Sequence, residues 1–261
     1  MVLQVIGAAL GAVATRWRAS LVVLMLIFVP MALPFVLFEL VNGLVMRGDA
    51  GADIILRYIT GPVSSPSTIT LILGMWLLLL GPWAMGIWGA TGTGAVRFRI
   101  GWEPYVRYLV IVLGAAVVMV VDDIAILLFG LTGWGPVFPA LAFDFAALYV
   151  VFRAAPAAPA VQSGGLLDLR GTWRGSRPDR WRILGLAALW TGLGVVFMAA
   201  AQIAAFGVTL ALESVDVGTS LWPLLLVSGA PGLITGTAAA LVTLVSLAIF
   251  WTLAERYGDQ P

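Results

Sequence analysis

The residues of this sequence most able to do chemistry are carboxylates set among apolar neighbours: Asp122 and Asp123, and Asp144 further on. Asp122 and Asp144 stand at equal sequence distances on either side of Gly133, within the turn-forming run Thr132-Gly133-Trp134-Gly135-Pro136. If both flanks are helical, an antiparallel hairpin brings the two acids to one depth, about 16 Å from the turn at 1.5 Å per residue. An ionised carboxylate at the centre of a bilayer costs at least about 2.5–3.5 kcal/mol, so such a group is expected to face the protein interior and to find a partner or a proton. Glu39, with Asn42 beside it, joins the same group from another segment. Two readings stand open. The acids form a proton or cation site, or they are protonated and hydrogen-bonded between helices as structure.

Other chemistry is excluded by composition. The chain has no Cys and no His, which removes thiolate nucleophiles, Fe–S and zinc–thiolate centres, and the commonest general base and haem ligand. No metal site and no cofactor is expected. The run Gly89 to Gly94 is glycine-rich but lacks the Gly-Lys-Ser/Thr ending of a phosphate loop, and it reads as a helix terminus. An aspartyl-protease pairing of the acids would need a Gly-x-Gly-Asp motif, and none is present. A net charge of +1 argues against a nucleic-acid partner.

The elements that hold these residues are apolar. Of the 261 residues, 61% are hydrophobic and 10% charged, with a mean hydropathy of +1.05. Soluble domains carry about 25% charged residues, so lipid rather than water is expected to cover this surface. A bilayer core about 30 Å thick takes roughly 20 helical residues. Six stretches approach that length: 21–46, 69–90, 108–131, 136–152, 183–212 and 233–252. The expected fold is an all-α, polytopic membrane helix bundle, a single transmembrane domain over 1–261 with about six spans. Residues 221–230 are apolar but reach only about 15 Å; with Ser228-Gly229-Ala230-Pro231-Gly232 as a break, they read as an interfacial or re-entrant piece. Gly232, Gly236 and Ala240 form a small-xxx-small face for close packing.

Orientation follows from charge. All 14 basic residues are Arg. With the N-terminus inside, only Arg47 and Arg57 fall outside, and an even number of spans places both termini in the cytoplasm of a bacterial inner membrane. No cleavable signal peptide is expected, because the apolar stretch after Arg16 and Arg18 is too long. Tryptophans gather near the expected helix ends, as an aromatic belt requires. Three places (Gly11 to Pro30, Gly94 to Ala115 and Gly171 to Thr191) repeat a glycine, an Arg and Trp cluster, and the start of an odd-numbered span. The repeated unit would be a short interfacial segment followed by a helix hairpin, although ordinary topology rules alone gather Arg and Trp at such places. Either way a basic rim is expected at the cytoplasmic face. Arg170, Arg174, Arg177, Arg180 and Arg182 are its densest part and the candidate contacts for anionic lipid headgroups, at about 1 kcal/mol per charge.

The segment from Leu148 to Gly185 runs through Arg153, Pro156, Pro159, Gly164-Gly165-Leu166, Arg170-Gly171-Thr172-Trp173 and Trp181-Arg182. It resembles a group of polytopic bacterial membrane proteins that includes the YciC-like proteins and the membrane domain of some glycerophosphodiester phosphodiesterases. The run Arg97 to Pro104, with Arg107 and Tyr108, is similar to a second signature of that group, though relatives have a His where this chain has none. The resemblance implies a membrane fold and location. It does not imply phosphodiester hydrolysis, because the catalytic barrel of that enzyme is missing from this sequence.

The expectation is therefore a non-enzymatic accessory, scaffolding or envelope-maintenance protein. Its expected partners are anionic lipids at the cytoplasmic face, together with another membrane protein or a homo-oligomer. The alternative is a small proton- or cation-coupled transporter using the aspartates. An enzyme acting on lipid headgroups ranks third.

Overall fold

The structure, a computed structural model, describes residues 1–46, 79–88, 102–129, 137–158, 168–213 and 221–258. Among these the fold is all-α, with no strand. The helices are α1 (Val2–Thr15), α2 (Trp17–Met46), α3 (79–88), α4 (Trp102–Phe129), α5 (Val137–Ala154), α6 (Leu169–Gly175), α7 (Arg180–Glu213) and α8 (Leu221–Gly258).

Three helices contain stretches long and apolar enough to cross a membrane: Trp17–Leu37 in α2, Arg180–Ala211 in α7 and Gly229–Tyr257 in α8. Their outer surfaces are what such a setting demands. Met25, Val29, Val196, Ile203 and Phe206 are all exposed, and water would penalise every one of them. α4 and α5 pack against each other, as the Gly133 turn leads one to expect; the turn itself lies outside the described residues.

The helices divide into two compact units. One comprises Met1–Ile27, Gly74–Gly192 and Thr243–Pro261. Its core is aromatic: Trp88, Tyr108, Phe250 and Trp251 are almost fully buried, with the Tyr108 and Trp251 rings meeting edge-on at 6.2 Å. Ile183, Leu186 and Leu253 fill the space around them. The other unit comprises Phe28–Leu73 and Leu193–Val242. There α8 crosses α2 at backbone contact. A Cβ placed on Gly232 would stand 2.7 Å from the carbonyl of Phe35, and one on Gly236 would strike the Ala32 backbone.

That crossing corrects the expected break at 228–232. α8 is one helix of 38 residues with Pro231 inside it, and residues 221–230 are its first turns rather than a separate piece. The glycines that read as a breaker are small because α2 lies against them. Pro231 is accommodated within the apolar helix, and the Thr235 hydroxyl donates to the Pro231 carbonyl at 3.2 Å. The small-xxx-small face thus serves packing inside this unit, with Ala240 fully buried beside it.

Where a short interfacial segment is expected before the first span, α1 is a regular helix of 14 residues. α1 ends at Arg16, and the chain turns sharply into α2. The Ser20 hydroxyl donates to the Val13 carbonyl at 2.9 Å, seven residues back, which a straight continuous helix would not permit.

Candidate functional site

The basic rim is built where four chain segments meet. α6 is nucleated by Asp168, whose carboxylate accepts the Gly171 N–H at 2.8 Å while its carbonyl accepts the Thr172 hydroxyl at 2.7 Å. Any side chain at position 171 would collide with that capping carboxylate, which explains the glycine. The chain leaves α6 at Ser176, passes Arg177 and Asp179, and starts α7 at Arg180. Arg170, Arg174, Arg177, Arg180 and Arg182 are all exposed. Trp173 and Trp181 stand exposed between them, with Arg180 over the Trp181 ring at 5.3 Å.

Two clamps hold the neighbouring helix ends at this level. Asp179 accepts a hydrogen bond from the Tyr257 hydroxyl at 3.0 Å and pairs with Arg182 at 3.1 Å. Arg16 pairs with Glu255 at 2.6 Å and also lies over the Trp88 ring at 5.9 Å. Glu255 and Tyr257 share the last turns of α8, so the starts of α2 and α7 and the end of α8 lie at one level. Trp17 is exposed there as well, under the guanidinium of Arg18 at 5.4 Å. Among the described residues, no carboxylate pairs with Arg170, Arg174, Arg177 or Arg180.

Arg153 behaves differently from the rim arginines with which the sequence groups it. It is 6% exposed. Its Nε donates to the Ser176 hydroxyl at 3.1 Å, Nη1 to the Tyr149 hydroxyl at 3.3 Å, and Nη2 to the Trp173 carbonyl at 2.6 Å. The guanidinium also stacks 3.7 Å from the centre of the Trp173 ring. The Trp173 ring and its carbonyl near the C-terminal end of α6 help balance its charge, and no carboxylate pairs with it among the described residues. The result is a latch that fixes α6, and with it Arg170 and Arg174, against the end of α5. The i,i+4 spacing of Tyr149 and Arg153 hints at one contact of this latch; nothing local hints at Trp173 and Ser176.

Most of the expected carboxylate site lies outside the described side chains. Asp122 and Asp123 lie on α4 and Glu39 on α2, but their side chains fall outside the described residues. Asp144 lies on α5 with its side chain exposed. Among the described residues no group of His, Cys, Asp or Glu is placed to hold a metal ion.

The chain matches no protein-family model, no curated protein and no solved structure. The resemblance carried by Leu148 to Gly185 therefore rests on those residues alone.

Proposed function

We propose that this chain is a multi-pass protein of a bacterial inner membrane, with six spans and both termini in the cytoplasm. It acts there without catalysis, as an accessory or scaffolding component of the envelope that engages anionic lipid headgroups. The observation that carries the reading is the exposed rim of Arg170, Arg174, Arg177, Arg180 and Arg182, interleaved with Trp173 and Trp181, at the start of a helix apolar enough to cross a membrane. Helix α7 has 34 residues, about 51 Å at 1.5 Å per residue. A hydrocarbon core of about 30 Å leaves its first turns among the headgroups. Indoles prefer that layer, and Arg170, Arg174, Arg177 and Arg180, which pair with no carboxylate among the described residues, can meet phosphates there. The short helix that precedes a long one at both α1–α2 and α6–α7 supports the repeated-hairpin arrangement.

The test replaces Arg170, Arg174 and Arg177 by Gln, sparing Arg153 and the clamps. Purified in mild detergent, the native chain should retain anionic over zwitterionic lipid, or an acidic protein partner, in a salt-sensitive manner. The triple variant should lose that preference. Equal retention by both proteins would leave the arginines with no role beyond setting topology.

A further inference from the structure

The exposed face of α1 is the largest feature that the rim does not account for. α1 carries no charged residue. One side, Val5, Ile6 and Ala9, is buried in the protein. A flanking stripe presents Leu3 at 76% and Leu10 at 50% exposure, with Gly7 between them and Gly11 next to Leu10, both facing open space. Fourteen residues extend about 21 Å, too short to cross a hydrocarbon core of about 30 Å.

Both ends of α1 are tied to one level of the structure. At its start, Met1 Sδ accepts from Arg182 Nη1 at 3.8 Å, and Val2 lies beside Gly185 on the first turns of α7. At its end the chain turns through Arg16, which the Glu255 carboxylate holds at the close of α8. The Asp179–Tyr257 bond joins the start of α7 to that same end of α8. α1 therefore bridges the starts of α7 and α2 laterally, along the rim rather than away from it.

From this we infer that α1 is an in-plane membrane helix, its Leu3–Leu10 face seated at the headgroup–acyl boundary of the leaflet that the arginine rim contacts. The neighbouring charge selects the occupant. Arg170, Arg174, Arg177 and Arg180 lack carboxylate partners among the described residues, and Trp17 and Trp181 are exposed beside either end of α1. An anionic lipid surface satisfies the arginines with phosphate, the indoles with the interface, and Leu3 and Leu10 with the outermost methylenes in a single contact. A soluble acidic partner would satisfy only the first of these.

This inference rests on the membrane reading, and the test separates the two. The chain contains no cysteine, so single spin labels go in cleanly at Leu3→Cys or Leu10→Cys. Val196→Cys serves as a control, about 24 Å along α7 from Arg180 at 1.5 Å per residue. In proteoliposomes containing anionic lipid, the labels at 3 and 10 should be relaxed by oxygen and shielded from a water-soluble nickel chelate. Their depth should be shallower than that of the label at 196. Nickel access at 3 and 10, with 196 still in lipid, would overturn the inference and spare the membrane reading. Spin–spin broadening at position 10 that disappears on dilution with unlabelled chain would overturn it in favour of a second copy docked across Gly7 and Gly11. Nickel access at all three positions would overturn both.

Discussion

Arg153 shows why a single residue has to be read with its surroundings. Its charge class makes it one more cytoplasmic arginine, yet three hydrogen bonds and the Trp173 ring enclose it. Replacement by Leu leaves the Ser176 hydroxyl and the Trp173 carbonyl without this donor in a buried place. The loss should be about 1.5–3 kcal/mol, the range for hydrogen bonds to a charged group. Arg153→Lys should recover only part of it, because an ammonium has neither the planar fork nor the stacking face. Thermal unfolding in detergent would order the three proteins as native, Lys, Leu; equal midpoints for Lys and native would show that charge alone suffices. Asp144 gives the opposite expectation. In a scaffold Asp144→Asn keeps a hydrogen-bonding side chain of similar shape, so yield, melting and lipid retention should be nearly unchanged. Loss of a pH-dependent flux in proteoliposomes on that substitution would instead establish the transporter alternative. The exposure of the rim arginines was legible because clustered like charges are rarely buried. The burial of Arg153 was not, because it depends on a chain reversal that brings Trp173 and Ser176 back over α5.

Helices were legible in sequence wherever apolar length decided them. The expected stretches 21–46 and 183–212 overlap α2 and α7 almost entirely, since little besides a membrane helix suits such runs. The sequence went astray at 228–232, where glycine and proline carry two meanings that only tertiary context separates. A glycine in a loop supplies backbone freedom; a glycine under a crossing helix supplies room. A helical glycine that faces open space responds to mutation with the opposite sign. Gly232→Ala and Gly236→Ala would push a methyl into the α2 backbone, which cannot yield as a side-chain tip can. Each should cost about 1–3 kcal/mol, the range for overpacking. Gly207→Ala faces open space and should be neutral or stabilising by up to about 1 kcal/mol from helix propensity. Unfolding of the three variants in mixed micelles measures the contrast. Equal effects at 232, 236 and 207 would mean that the α2–α8 crossing is not close in solution.

For the whole molecule, the proposed arrangement of spans rests on charge balance and helix length together. Twelve of the 14 arginines fall on one side of the six-span model and only Arg47 and Arg57 on the other. Three spans are long and apolar enough among the described helices; the remaining three rest on the apolar runs at 69–90, 108–131 and 136–152. The clamps add an independent constraint. Arg16–Glu255 and Asp179–Tyr257 place the start of α2, the start of α7 and the end of α8 at one level. α2 and α7 therefore leave the rim while α8 returns to it. If the chain spans a membrane as proposed, an odd number of crossings between Arg16 and Asp179 would put the starts of α2 and α7 on opposite faces, so the clamps then call for an even number. The six-span model supplies four. Reporter fusions at Ser64 and Ser163 test that count, because the first follows one expected crossing and the second follows four. An alkaline phosphatase fusion should be active at Ser64 and silent at Ser163, and a fluorescent cytoplasmic reporter should show the reverse. Two fusions on the same side would break the six-span arrangement. The clamps would still hold in that event, and the even number of crossings they demand would have to be found elsewhere between Arg16 and Asp179.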